Sequence, residues 1–410
     1  MKILYHHRTA SKDGQAVHIE ELIAALREQG HEVRVVAPGT SGSDKGGGKS
    51  DDNMGAKVGW VHGLRARLPK ALYELMELSY SIVAYRRLLR AAREFKPDVL
   101  YERCNLYLLA GLMLKRRLKL PMLLEVNSPL TEERLRHGGL GLPWLARWSE
   151  RSVWRGADVV LPVTRVLGDI VAREGVAAER IVVVPNGINE AHFAAAPTPA
   201  AAKARLGWEQ ALVLGFTGFV RDWHGVDRVL HWMASPAAPA HARLLVVGDG
   251  PARAELEQLA RDLQLAGRVR FTGVVPRDDV PAFVAAFDIA LQPAVTAYAS
   301  PLKLFEYLAL GKAIVAPALP NIEEVLRDGH NALLFDAADP AAFGRALTRL
   351  ANDAALRAHL AVGARATIDE LGLTWQRNAA RVAQLFRDLC QSAATGGAAA
   401  AAKTAPVRPR

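Results

Sequence analysis

At 410 residues the chain is longer than one hydrophobic core ordinarily serves, so two domains are expected. Half of the residues are hydrophobic and the formal net charge is +10, which excludes an acidic, solvating chain and suits acidic partners such as nucleotides, nucleic acid or an anionic membrane surface. Two distant cysteines, Cys104 and Cys390, exclude a disulfide framework and a CxxC metal site; a start too polar for a secretory leader and no apolar run of roughly 18 residues lead us to expect a cytoplasmic protein, soluble or peripherally attached.

Residues 2–5 form a short apolar run expected to be a parallel strand. A polar loop over 6–15, containing Gly14, leads to a helix at 17–29 that Gly30 closes, and residues 33–37 read as the second strand. This β–loop–α–β start opens a Rossmann-like sheet, but it lacks GxGxxG and does not indicate a dinucleotide. Residues 39–55, rich in Ser, Gly, Lys and Asp, are expected to be a mobile loop. Residues 70–95 are helical with a basic tail (Arg86, Arg87, Arg90, Arg93, Lys96), and Lys115, Arg116, Arg117 and Lys119 close the next helix. Such clusters either complement the helix dipole at a solvated end or meet anionic lipid. Strands are expected at 99–101, 122–126, 157–163 and 181–184, with a helix at 144–154 and a turn at Pro185-Asn186-Gly187.

An Ala/Pro-rich stretch at 194–203 marks the change of domain, and alternation of strand and helix then resumes. Strands at 211–217, 242–247, 269–272 and 289–292 are followed by glycine-containing loops or by the stretch at 299–311; 312–316 and 331–335 complete the second sheet. Residues 374–391 form a long amphipathic helix, and the Ala/Gly/Pro tail at 393–410 lacks large core formers and is expected to be disordered. The expected division is 1–190, 191–372, a crossover helix at 373–392 and the tail at 393–410.

The stretch Ala299-Ser-Pro-Leu-Lys-Leu-Phe-Glu-Tyr-Leu-Ala-Leu-Gly311 concentrates chemistry. Ser300 is expected as N-cap and Pro301 as first helical residue, so the free amides of the first turn offer a phosphate site. Lys303 adds a positive charge, and Glu306 follows at i, i+3 on the same face. By itself this is equally a capped surface helix with an ion pair. The glycines at 218, 225, 248, 250 and 273 follow strands, where ligands of open α/β sheets bind.

The set Pro185-Asn-Gly-Ile188, Gly218…His224-Gly225, Val247-Gly-Asp-Gly-Pro251, Phe271-Thr-Gly273 and Ser300-Pro-Leu-Lys-Leu-Phe-Glu306 resembles the family-4 retaining glycosyltransferases (glycosyl transferases group 1). The resemblance implies an α/β protein of GT-B fold: two Rossmann-like domains facing across a cleft, the first for the acceptor, the second for a nucleoside-diphosphate-sugar, and a C-terminal helix crossing back. It implies that Glu306 binds the ribose hydroxyls, that the amides around Ser300, Leu302 and Lys303 cradle the diphosphate, that Gly273 and Val274 meet the base, and that Gly14, Gly218 and Gly248 approach the donor. Four positions depart from the pattern. Tyr298 stands where a glutamate is usual, Phe219 and His224 replace an Arg and a Lys, and Asn127 stands at a catalytic-site histidine. Arg221 and Lys303 are expected to replace the missing cations, with His224 a neutral donor to phosphate or a structural ring. Asn127 can bond a sugar hydroxyl but cannot carry a proton. Glu102, Glu125 and His18 are candidates on the acceptor side, the two carboxylates equally as structural ion pairs (Arg103 adjoins Glu102).

The resemblance implies a retaining transferase; it is expected to work without a bound metal or other cofactor, since no DxD triplet is present and cations plus helix-start amides suffice. The implied acceptor is a saccharide or lipid-linked saccharide, in surface polysaccharide or glycolipid synthesis, with peripheral contact to an anionic membrane. A nucleic-acid partner is not expected, because the basic residues are not interleaved with aromatics in a recognised module. The alternatives are a catalytically inactive nucleotide-sugar-binding protein, or another enzyme of the same fold such as a phosphorylase or epimerase.

Overall fold

The computed structural model describes residues 1–9, 14–38 and 68–403, the stretch 393–403 as backbone only; the loop expected over 39–55 and the last seven residues of the tail lie outside these. The first domain runs β1 (Lys2–His6), α1 (Gly14–Glu28), β2 (Glu32–Val36), α2 (Lys70–Phe95), β3 (Val99–Arg103), α3 (Ala110–Leu118), β4 (Met122–Val126), α4 (Leu130–His137), α5 (Pro143–Gly156), β5 (Val159–Pro162) and α6 (Arg165–Arg173). Its strands are parallel, in the order β2-β1-β3-β4-β5. β3, β4 and β5 are buried at every position, as strands covered by helices on both faces must be. The strand expected at 181–184 is not a full strand: Val182 and Val184 donate to the carbonyls of Val160 and Pro162, but only Ile181 forms a bridge, and Pro185 cannot extend the ladder.

The second domain runs α7 (Glu190–Ala194), α8 (Pro199–Leu206), β6 (Leu212–Thr217), α9 (Val226–Ala234), β7 (Ala242–Val247), α10 (Arg253–Asp262), β8 (Val269–Phe271), α11 (Val280–Ala285), β9 (Ile289–Leu291), α12 (Leu302–Ala309), β10 (Ala313–Pro317), α13 (Pro320–Glu323), β11 (Ala332–Phe335), α14 (Ala342–Asn352) and α15 (Ala354–Leu371). Its six parallel strands are ordered β11-β10-β9-β6-β7-β8. The order reverses between β6 and β9, and the loops leaving those two strands diverge to open a crevice for a ligand.

The last helix, α16 (Trp375–Lys403), returns to the first domain. Trp375, Ala379, Val382 and Phe386 join Ile19, Leu22 and Leu26 of α1 in one cluster over the sheet face opposite α2 and α3. Order does not end at residue 392: the helix continues through an alanine-rich stretch to Lys403, alanine being the residue that costs least in a helix. The two chain crossings between domains are tied together, Ile188 N–H to Leu373 C=O at 2.9 Å and Trp375 N–H to Ile188 C=O at 3.3 Å. Among the described residues no helix is long and apolar enough to cross a membrane.

Phe386 is fully buried in the seam that holds α16 to α1. Phe386→Ala should cost about 3–5 kcal/mol, read as a lower thermal midpoint and faster proteolysis of the terminal helix, whereas Arg387→Ala on the exposed side should change neither.

Candidate functional site

The loops leaving β6, β7 and β8 pack closely because glycines let them. Gly218 and Gly248 have φ of +113° and +138°, and a Cβ on Gly248 would lie 2.1 Å from the Gly218 carbonyl oxygen. Gly248 also bridges to Gly273, and the next residue, Val274, is 83% exposed, leaving that loop open to a flat ligand. Across the crevice α12 begins at Leu302, one residue later than expected. Pro301 is the N-cap and no side chain caps the helix, so Ser300 is not the cap; Asn186 of the first domain instead donates to the Ser300 carbonyl at 2.6 Å. The uncapped start strengthens the anion site, because the first-turn amides of Leu302 and Lys303 keep no internal acceptor. Leu302 packs against the cluster formed by α1 and α16, which sets this helix start against the first domain, and Gly14 opens α1.

Lys303 is the unusual residue. Its Nζ is buried without a hydrogen-bond partner and lies 3.6 Å from the centroid of the Phe216 ring. Burial lowers its pKa to about 7, against the opposing pull of Glu306. The i, i+3 pair expected on α12 is therefore not a closed ion pair, since the ammonium is turned toward Gly218, where a Cβ would lie 3.6 Å from Nζ. Glu306 instead accepts from Thr217 Oγ1 at 3.2 Å, and burial raises its pKa. His224 is buried beside the Phe216 and Trp223 rings, and its Nδ1 accepts the Arg221 N–H at 3.2 Å. Burial, with the charges of Lys303 and Arg221, lowers its pKa to about 3. It is thus neutral near pH 7, and with Nδ1 accepting, the proton resides on Nε2, ready to donate. Arg221 is exposed, its guanidinium 4.8 Å over the Phe219 ring.

Tyr298, where the pattern has an acid, is buried in the core cluster of the first domain. Its hydroxyl donates to Glu133 Oε1 of α4 at 2.6 Å, and Thr164 Oγ1 donates to its carbonyl at 2.9 Å. The loop after β9 is thereby fastened to the opposite domain, and the carboxylate near that position comes from α4.

The acceptor-side candidates are more heavily committed than their sequence suggests. Glu125, at the end of β4, takes hydrogen bonds from Tyr101 (2.9 Å), Asn127 Nδ2 (2.5 Å), Tyr5 (3.4 Å) and Arg103, and His18 Nε2 lies at 3.2 Å. Burial opposes its charge, yet His18 and Arg103 hold its carboxyl far below the usual range. With its lone pairs occupied it is a structural anion and not a base. Arg103 pairs with Glu125 and not with its neighbour Glu102, because adjacent strand residues point to opposite faces. Glu102 instead meets His6 Nδ1 while its Oε1 is buried without a partner, and a side chain at Gly111 would fill the space its carboxylate uses. His18 Nδ1 bonds Asn186 Oδ1 at 2.7 Å, so both its nitrogens are engaged and neither is open to a ligand.

Sequence reading missed Thr217, which orients Glu306, and Glu133. It also missed His6 and His7, the latter's Nδ1 buried without a partner and its pKa lowered to about 4 by burial and by His6. Two consecutive histidines at the end of the first strand, His6 closing it and His7 following, were a visible signal. Among the described residues no three His, Cys, Asp or Glu side chains are grouped to hold a metal ion.

Two family models match the chain: a glycosyl transferase 4-like domain over residues 13–187 and glycosyl transferases group 1 over 211–353. A D-inositol 3-phosphate glycosyltransferase of Salinispora arenicola is 30% identical over 259 residues, 58% of this chain and 56% of that one, so the chain spans about half the length of this curated relative. Among solved structures, sucrose-phosphate synthase from Thermosynechococcus elongatus superposes with TM-score 0.77 at 18% identity, covering 96% of this chain and 100% of that one. Anabaena Alr3699/HepE in complex with UDP-glucose gives TM-score 0.70 at 18% identity, covering 95% and 100%. The fold of the last two is the fold described above.

The buried Lys303 charge carries a stability cost that is full below about pH 7 and is relieved as pH rises toward the ordinary lysine range, because folding depresses its pKa. Lys303→Met should therefore raise the thermal midpoint, by roughly 2 °C or more at pH 6, with a smaller gain at pH 9. A midpoint that falls at both pH values would contradict the uncompensated charge.

Proposed function

Because the chain belongs to the family-4 glycosyltransferases of GT-B fold, we propose that it transfers a sugar from a nucleoside-diphosphate donor to a hydroxyl acceptor, with retention at the anomeric carbon. The observation that carries the reading is the unpartnered Lys303 ammonium beside the open first-turn amides of α12. Such a set is incomplete without an anion.

In this reading the diphosphate lies on the amides of Leu302 and Lys303, with Lys303 Nζ and the Nε2–H of His224 on its oxygens. Glu306, held by Thr217, accepts from the ribose hydroxyls, and the base lies along Gly273 and Val274. As the anomeric C–O bond breaks, charge grows on the leaving phosphate oxygen, and groups already aimed there stabilise it without reorganising. The acceptor oxygen attacks from the same face and its proton passes to the departing phosphate oxygen. No protein base is needed, which accommodates an Asn127 whose amide is spent on Glu125. Arg221 stands at the rim, able to leave Phe219 for the diphosphate. Cationic and amide donors take the part a divalent ion would play, so turnover should persist in a chelator.

UDP is the donor nucleotide of first choice, because Alr3699/HepE was solved with UDP-glucose on the same fold. We place the reaction at the cytoplasmic side of a membrane, on a saccharide or lipid-linked saccharide in surface polysaccharide or glycolipid synthesis; the net charge of +10 favours peripheral contact with anionic lipid. A second reading, a donor-binding protein without turnover, draws on Tyr298 and Asn127, both engaged with carboxylates.

Calorimetric titration with UDP, GDP and ADP, followed by donor hydrolysis and transfer assays, separates these. Glu306→Ala should weaken nucleotide binding by about 1–3 kcal/mol; unchanged affinity removes it from the ribose. Lys303→Ala should lower turnover more than Asn127→Ala, and the reverse order would refute the diphosphate assignment. Donor affinity of the native protein should fall as pH rises through about 7, where Lys303 loses its proton, and Lys303→Met should flatten that dependence. Binding without hydrolysis or transfer to any acceptor would establish the second reading.

A further inference from the structure

Helix α2 is inside out over its first half. The side turned to the protein carries Glu74, Glu77 and Ser81, all buried. Glu74 accepts the backbone N–H groups of Gly141 and Leu142 at 2.7 and 2.8 Å, and Glu77 pairs with Arg134 and Arg8. The opposite side, at helical spacing, carries Leu72, Leu75, Met76, Ile82 and Val83, with Leu72 and Ile82 each 51% exposed. A helix facing water would reverse this arrangement. Further along the same outward side stand Arg86, Arg87, Arg90 and Arg93; among the described residues none of the four is in an ion pair.

The neighbouring helices extend the surface. α5 presents Trp144 and Trp148, 66% and 49% exposed, with Arg147 between them. Its start is tied to the start of α2, since Lys70 Nζ donates to the Gly138 carbonyl at 3.0 Å and a Cβ on Gly141 would lie 2.5 Å from the Ala71 nitrogen. α3 lies on the same sheet face; Leu112 fills the space above Gly156 of α5, and its outward end carries Arg116, Arg117, Leu118 and Lys119. Helices following parallel strands run back against them, so the starts of α2 and α5 stand beside the carboxyl ends of the strands. The apolar residues therefore lie at the cleft end of this layer and the arginines at the far end.

We propose that the outward faces of α2, α3 and α5 dock on an anionic phospholipid bilayer, Leu72, Leu75, Trp144 and Trp148 entering the interface and the arginines meeting lipid phosphates. The proposal rests on the membrane setting proposed above and gives it a surface; it is independent of the donor chemistry. Charge decides the occupant. A second copy of the chain seated face to face would set arginine against arginine, whereas an anionic bilayer answers both the apolar patch and the cationic field beside it. With the patch at the cleft end, an acceptor carried on a lipid would reach the crevice while its apolar anchor stays in the membrane.

The test is co-sedimentation of the full chain with phosphatidylcholine vesicles prepared with and without phosphatidylglycerol, alongside Trp144→Ser/Trp148→Ser, Leu72→Ser/Leu75→Ser and Arg86→Gln/Arg90→Gln. Nucleoside-diphosphate affinity and thermal midpoint are measured on each variant. The native chain should bind the anionic vesicles, lose binding in high salt, and lose roughly tenfold or more with each double change, while nucleotide affinity stays at the native value. Three results would overturn the docking surface: no vesicle binding by the native chain, variants that bind as well as it does, or a native dimer that the variants make monomeric without any lipid binding. Vesicle binding with no nucleotide affinity would overturn the donor reading alone.

Discussion

A lone ammonium sealed from water is an unstable object, and the crevice is arranged around one. Lys303 sits over an aromatic ring with no carboxylate close enough to neutralise it, and its charge depresses the pKa of His224. The glycine contacts of the β6 and β7 loops bring backbone within reach of the same spot, and the helix start contributes amides of the same sign. The Lys303 ammonium, the open first-turn amides of α12 and the Nε2–H of His224 are all donors, and Glu306 stands one helical turn away. Burial of the Lys303 ammonium is tolerated because rigid packing elsewhere over-determines it. The unfavourable term is what makes an anionic ligand favourable.

The opposite wall follows the reverse rule. Glu125 gathers two phenols, an amide, a guanidinium and an imidazole, so it is satisfied before any ligand arrives. That network reaches from β1 to β4 and, through His18 and Asn186, to the carbonyl of Ser300 just before α12. The buried anion of the first domain thus helps aim the cationic helix start of the second. The two walls are coupled by hydrogen bonds, and also by Tyr298 and Leu302, which pack into clusters of the first domain.

Much of this was legible in the chain. Alternating apolar runs and glycine stops give the two sheets, and Ser300-Pro-Leu-Lys-Leu-Phe-Glu306 marks the anion site. What was not legible was where each side chain spends its bonds. Arg103 beside Glu102 looks like a pair, yet strand alternation sends the two to different faces. Lys303 and Glu306 share a helix face, yet tertiary packing turns one toward Gly218 and the other toward Thr217. Tyr298 finds Glu133 only because the loop after β9 crosses to the other domain, a relation that no local pattern encodes. The N-cap fell one residue from its expected place because the Ser300 carbonyl is claimed by Asn186.

The paired crossings at Ile188 and Thr374 have a mechanical meaning. Two separate linkers would let the domains slide, twist and separate. Here the outgoing and returning strands of chain are hydrogen-bonded to one another at a single place, and a side chain on Gly187 would collide with the backbone of residues 374 and 375. Such a joint acts as a pin. It suppresses translation and leaves rotation, so the width of the crevice becomes a single angular coordinate. The other contacts between the domains, Arg277 with Glu21, Glu324 on the start of α6 and Tyr298 on Glu133, each set a stop on that one angle.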